Sequence, residues 1–132
     1  MIGTLRGKII FYGEKHVILD VAGVGYKVYA LPFTIQAIAA KQGKKDEAAI
    51  FWTHLYVREN ALDLYGFAER AEVEFFEALI SISGIGPKSA TGVMSVAPLD
   101  TLKMAIASGE TSYLSKVSGI GRKTAEKIIV EL

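Results

Sequence analysis

Leu79-Ile80-Ser81-Ile82-Ser83-Gly84-Ile85-Gly86-Pro87-Lys88-Ser89-Ala90 recurs 35 residues later as Leu114-Ser115-Lys116-Val117-Ser118-Gly119-Ile120-Gly121-Arg122-Lys123-Thr124-Ala125. Leu, Ser, Gly, Ile, Gly, Lys and Ala repeat without change. Ile82 answers Val117, and Ser89 answers Thr124. An apolar pair follows each block at the same offset, Val93-Met94 and Ile128-Ile129. An internal repeat of this period means one supersecondary unit used twice. Each unit reads as helix, tight Gly-Ile-Gly turn, helix. Glycine tolerates positive φ and lets another molecule approach the backbone closely. The Ile between the glycines can tuck into the core and pin the turn. The second helix then starts with free N–H groups at the positive end of its dipole, an arrangement suited to a phosphate oxygen. Lys88 and Lys123 put a cation beside it, and Ser89 and Thr124 can cap the helix or donate to phosphate. This is a helix-hairpin-helix pattern, spanning 79–94 and 114–129. Its chemistry addresses the sugar-phosphate backbone, so it predicts DNA binding with little sequence preference. Two copies related by an approximate two-fold could grip both strands of one duplex across the minor groove.

Outward from the repeat, helical periodicity continues. Val73, Phe76 and Ile80, widened by Phe75, Leu79 and Ile82, form one stripe. Leu102, Ala105 and Ile106 mark another helix, with Gly109 as a natural stop. Ala125, Ile128, Ile129 and Leu132 mark the last. Before residue 67 the pattern changes to strands. Leu5, Ile9, Phe11, Val17–Leu19, Val21, Val24, Tyr26, Val28 and Tyr29 are broken by glycines 3, 7, 13, 23 and 25. Asp20–Tyr26 reads as two strands meeting at a tight turn, 32–40 as a short helix or loop, and 41–45 as a polar connector. Further strands are expected over 48–57 and 62–67, joined by a polar tip at Arg58-Glu59-Asn60-Ala61. The expected fold is therefore β followed by α, in two domains. A five-stranded OB-like barrel occupies 1–66, and an all-α tandem helix-hairpin-helix domain occupies 67–132. A simple meander sheet is the other arrangement these strands allow.

Charge supports a nucleic-acid partner only when read locally. The net charge of the 132 residues is +1. Residues 116–127 carry Lys116, Arg122, Lys123 and Lys127 against Glu126, a net +3, while 69–77 carry Glu69, Glu72, Glu74 and Glu77 against Arg70, a net −3. The glutamates read as the solvated face of an amphipathic helix rather than a nuclease metal cluster. With no cysteine there are no disulfides or thiolate metal sites, which fits a reducing cytoplasm. His16 and His54 are the two histidines, and nothing suggests that they meet. No secretory leader or membrane span is apparent. Lys88-Ser89 and Lys123-Thr124 resemble the end of a Walker A loop, but Pro87 and Arg122 stand where that loop needs glycine. No nucleophile–base arrangement is visible. The expectation is a binding protein with no catalytic site, metal or cofactor.

Several segments together resemble the RuvA family of Holliday-junction branch-migration proteins. They are Met1-Ile2-Gly3-Thr4-Leu5-Arg6-Gly7, Ala22-Gly23-Val24-Gly25-Tyr26, Val57-Arg58-Glu59-Asn60, Leu64-Tyr65-Gly66-Phe67 and both hairpins. The resemblance implies a homotetramer, single or stacked in pairs, that holds a four-way DNA junction open as a flat cross. It implies partnership with an ATP-driven motor, RuvB, and a resolvase, RuvC, in cytoplasmic recombination and repair. Candidate phosphate contacts are Gly84, Gly86, Lys88 and Ser89 in the first hairpin. Those in the second are Gly119, Gly121, Arg122, Lys123, Thr124 and Lys127, the last one turn beyond Lys123 on the same face. The resemblance also implies an acidic pin where strands separate, and the match falls on Glu59 and Asn60. Asn60 stands where the family often has a second carboxylate, so one pin charge is missing. Family members continue into a third, motor-recruiting domain. The chain's end at Leu132, inside an apparently unfinished helix, is therefore expected to mark a truncation that costs the motor contact. The alternatives are a duplex-binding or nuclease-accessory module without junction preference, and a protein-interaction domain.

Overall fold

The computed structural model describes residues 1–41, 48–117 and 120–132, and for Tyr113 the backbone alone. The connector expected at 41–45 lies outside the described residues except for Lys41. Two compact units are present, Met1–Val73 and Glu74–Leu132.

In the first unit, side chains alternate between interior and exterior on each strand, as a half-buried strand requires. The elements are β1 (Thr4–Tyr12), β2 (His16–Val21), β3 (Val24–Tyr29), α1 (Pro32–Ala40), β4 (Ala49–Arg58) and β5 (Ala61–Phe67). The strands close into a barrel in the order β1-β2-β3-β5-β4, which excludes the open meander. Closure depends on β1 serving two neighbours. Thr4–Gly7 pair with β4, and Lys8–Tyr12 pair with β2. The register shifts between Ile9 and Phe11, a bulge that bends the strand and leaves Ile10 turned out to solvent. Among the described strands, the one parallel pairing joins β3 to β5. Val17, Leu19, Val28, Phe51 and Leu64 fill the interior, with Ala30 and Ile35 at the α1 end.

The β2–β3 connection is the expected tight turn. Ala22 and Gly23 have φ of 52° and 91°, and Asp20 Oδ1 accepts the Gly23 N–H at 2.9 Å. Two central residues with positive φ make the turn whose twist matches the flanking strands.

The helices are α2 (Arg70–Ile80), α3 (Pro87–Met94), α4 (Leu99–Ala107), α5 (Ser112–Ser115) and α6 (Arg122–Glu131). Gly109 ends α4 as expected. Its φ is +77°, its N–H reaches the Ile106 carbonyl, and the Glu110 N–H reaches that of Ala105. That pair of bonds is a Schellman cap. Because the chain is turned so late, only one helical turn, α5, fits before the second hairpin. The first helix of that repeat is therefore much shorter than its counterpart α2.

Glu72 corrects the reading of 69–77 as a uniformly solvated acidic face. Glu69, Glu74 and Glu77 are exposed, but Glu72 is buried, and its Oε1 accepts the Glu69 N–H at 3.2 Å. It reaches back to a free N–H at the helix start, which is why a carboxylate is tolerated there. Burial pushes its carboxyl above the usual glutamate value, with a smaller upward push from Glu69, against the hydrogen bonds of Glu69 and Ala68. A raised folded-state pKa contributes stability below the unfolded value, and that stability is lost as pH rises through the folded one. Glu72→Gln keeps the acceptor without the charge. Its urea midpoint at pH 7 should therefore rise, by about 0.5 kcal/mol in stability. The gain should shrink as pH falls toward 4.5. A lower midpoint at pH 7 would show that the charge helps the helix start more than burial penalises it.

Candidate nucleic-acid interface

The two hairpins repeat in hydrogen bonds as well as in sequence. The Ile82 N–H meets the Leu79 carbonyl at 3.1 Å, and Val117 meets Leu114 at 3.2 Å. The Ile85 N–H meets the Ile82 carbonyl, and Ile120 meets Val117, both at 3.1 Å. Leu79 and Leu114, Ile85 and Ile120, Ala90 and Ala125, and Val93 and Ile128 are all buried. The Ile inside each Gly-Ile-Gly turn is thus the anchor the sequence suggested.

Each second helix starts in the same way. Gly86 stands at the N-cap of α3 with φ −93° and ψ 177°, and Gly121 at that of α6 with φ −83° and ψ 177°. The N-cap residue is glycine at both starts and offers no side-chain cap to the N–H groups of the first turn. Ser89 and Thr124 therefore do not cap. They occupy the third helical position, partly exposed, one residue after the exposed Lys88 and Lys123. Gly84 carries φ +92° and requires glycine for that reason; Gly86 and Gly121 have ordinary extended backbone. Gly119 lies outside the described residues.

Among the described residues, Lys127 and Gly92 tie the hairpins to each other. Lys127 Nζ lies 3.4 Å from the Ser83 carbonyl, 44 residues away. A Cβ on Gly92 would stand 2.7 Å from Val117 Cγ1, so α3 presses against the second turn where it has no side chain. Residues 92 and 127 are equivalent under the 35-residue repeat, and the turn residues they meet, Val117 and Ser83, differ by one position under it. Each second helix therefore touches the other hairpin's turn through the same position, the reciprocity an approximate two-fold imposes. The role of Gly92 was missed in the sequence. The signal available was its equivalence to Lys127.

Arg122 has a partner that the sequence reading also overlooked. Its Nε lies 3.4 Å from Glu126 Oε1, one turn along α6, with both side chains largely exposed. An exposed pair of this spacing contributes only a few tenths of a kcal/mol and yields readily to a better anion.

In the first unit, Arg58 and Ala61 form the last pair of the β4–β5 hairpin, leaving Glu59 and Asn60 exposed at its two-residue tip. Asp63 faces Tyr56 from within β5 and does not belong to the tip. His16 and His54 stand in one row of cross-strand pairs, His16 with Tyr29, Tyr29 with Tyr65, and Tyr65 with His54. Among the described residues, no group of three or more His, Asp or Glu side chains is placed to hold a metal. No described helix is long and apolar enough to cross a membrane.

Comparison with known proteins gives this geometry a family. Residues 1–66 match the RuvA N-terminal domain model, and 76–132 match the SAM-like helix-hairpin-helix tandem model. The chain belongs to the RuvA family. Proteins named Holliday junction branch migration complex subunit RuvA align with all 132 of its residues. That of Caldanaerobacter subterraneus subsp. tengcongensis is 41% identical, with 68% of its own length covered. That of Chloroflexus aurantiacus is 42% identical with 66% covered, and that of Pseudomonas paraeruginosa 46% identical with 64% covered. The chain thus spans about two thirds of the length of these RuvA relatives, and the aligned part contains both the barrel and the two hairpins.

Proposed function

We propose that this chain is a sequence-independent binder of four-way DNA junctions, without catalysis or cofactor of its own. In this reading it holds a junction open for branch migration by a partner ATPase. The observation that carries the reading is the doubled helix start at Gly86 and Gly121. Two uncapped sets of N–H groups, each beside an exposed lysine, belong to hairpins whose second helices each reach the other's turn within one unit. Gly84, Gly86, Lys88 and Ser89 take phosphates of one strand. Gly121, Arg122, Lys123, Thr124 and Lys127 take those of the other, and Gly119 shares that role by its place in the repeat. Such contacts fix register without reading bases. Glu59 and Asn60 form the pin, whose single carboxylate per subunit repels phosphates at the crossing. A homotetramer with one hairpin pair per arm suits the symmetry of a cross. RuvB as motor and RuvC as resolvase are the partners in this reading, and 1–66 and 67–132 are its domains.

A labelled synthetic junction titrated against linear duplex of the same arm sequence, over a range of salt and with the assembly mass followed, tests the reading. The expected result is junction preference by a tetramer, with a linear fall of log affinity against log salt. Equal binding to both DNAs would leave the hairpins as phosphate grips and remove the junction assignment.

A further inference from the structure

α3 carries a glycine where its backbone does not ask for one. Gly92 lies inside the helix and has no positive φ. Alanine in its place would favour a helix by about 1 kcal/mol. What excludes alanine is space. A Cβ at 92 would stand 2.7 Å from Val117 Cγ1, whereas carbon atoms in contact keep about 3.5–4.0 Å apart. Val117 is half-buried and β-branched, so its side chain has few other rotamers to adopt. A side chain at 92 would therefore push α3 and the second turn apart by roughly 1 Å.

The contact matters because of what lies beside each partner. Gly92 stands six residues beyond Gly86, the N-cap of α3, and Val117 four residues before Gly121, the N-cap of α6. The Val117 carbonyl accepts the N–H of Ile120, the residue next to that N-cap, at 3.1 Å. The Gly92–Val117 contact thus links one helix start to the other. Lys127 on the Ser83 carbonyl makes a second link, from α6 back to the turn ahead of α3. Two links running in opposite directions fix the separation of the helix starts before any DNA arrives. A duplex makes that separation count. Its phosphates stand at set distances across the minor groove, and hydrogen bonds to them hold only over about 2.7–3.2 Å. Grips displaced by roughly 1 Å cannot both seat on such a lattice. A single strand bends and can follow a changed spacing.

We infer that Gly92 is a positioning residue: by letting α3 close on Val117, it sets the spacing at which both phosphate grips engage one duplex together. The inference rests on the reading of the helix starts at Gly86 and Gly121 as phosphate sites, and it needs no junction.

The test uses the full chain with a labelled linear duplex and a single strand of the same length, each titrated over salt, and urea unfolding in parallel. Gly92→Ala should weaken duplex binding about fivefold at 0.15 M salt and make its salt slope shallower by about one unit, as though one grip were lost. Single-strand affinity and slope should stay as in the parent. Adding Val117→Ala to Gly92→Ala removes the colliding methyl group and should restore duplex binding. Val117→Leu, larger by a methylene, crowds the same contact from the other side and should show the same split, even where Gly92→Ala fails to fold. The inference is overturned if the duplex keeps its slope in Gly92→Ala or Val117→Leu, if duplex and single strand weaken together, or if Val117→Ala gives no rescue. Lys88→Ala with Lys123→Ala separates this from the reading beneath it. Slope lost there but kept in Gly92→Ala overturns the positioning role alone; slope kept in both overturns the grips as well.

Discussion

Replacing both hairpin lysines, Lys88→Ala with Lys123→Ala, should lower affinity for any DNA by roughly thirtyfold at 0.15 M salt and make the salt dependence shallower by about two units. The reasoning is counterion release. Each phosphate neutralised by a lysine contributes a slope of about −0.9 in log affinity against log salt. Removing two such contacts leaves binding near 1 M salt almost unchanged, and the loss grows as salt falls. Each single variant should remove about half of the slope change, because the repeat gives the two sites the same geometry at Gly86 and Gly121. Both side chains are exposed, so stability should move by no more than about 0.5 kcal/mol. Arginine at both positions should restore most of the slope. The loss should be the same for different sequences, since the groups involved read the backbone. A loss that varied with base sequence, or a slope unchanged while affinity fell, would mean that these lysines do not sit on phosphates.

The repeat was the legible part of this molecule because its chemistry is local. Gly84, Gly86 and Lys88 lie within five residues, and the same spacing returns at Gly119, Gly121 and Lys123. The hydrogen bonds and buried positions of the turns follow that spacing. The bounds expected for the last two strands, 48–57 and 62–67, fall within a residue of β4 and β5, and Ala22-Gly23 announced its turn. Properties that depend on what lies across the fold were not legible. Glu72 has the composition of its solvated neighbours, and only packing shows that it is buried and bonded to the Glu69 N–H. Gly92 looks like a weak point in a helix until Val117, 25 residues on, is seen against it. His16 and His54 are 38 residues apart and read as unrelated; barrel register sets both in one row through Tyr29 and Tyr65. Period and turn chemistry predict elements, whereas closure determines which distant side chains share a surface.

Closure also explains why the N-terminal glycines are not equivalent. Gly7→Ala should destabilise the barrel by about 3 kcal/mol, while Gly3→Ala should lie within about 0.5 kcal/mol of the parent. Gly7 sits where β1 passes from β4 to β2, pairing with Ala49 while its neighbour Lys8 pairs with Asp20. A Cβ there would collide with the Asp20 carbonyl oxygen and stand 2.9 Å from its carbon. These are backbone atoms within a ladder, so no rotamer change relieves the contact. Either β1 separates from β2 or the barrel opens, and both lose paired backbone groups whose burial without partners is costly. The backbone of Gly7 does not have the positive φ that would itself demand glycine; the space does. A Cβ on Gly3 meets nothing within 4 Å, so the second variant controls for the general entropic effect of replacing a flexible glycine. Urea unfolding followed through Trp52, the single tryptophan, which lies on β4 opposite Thr4, reports on this part of the barrel directly. Equal midpoints for the two variants would mean that β1 can bend away from β2 without loss, and that the split pairing of β1 is not what closes the barrel.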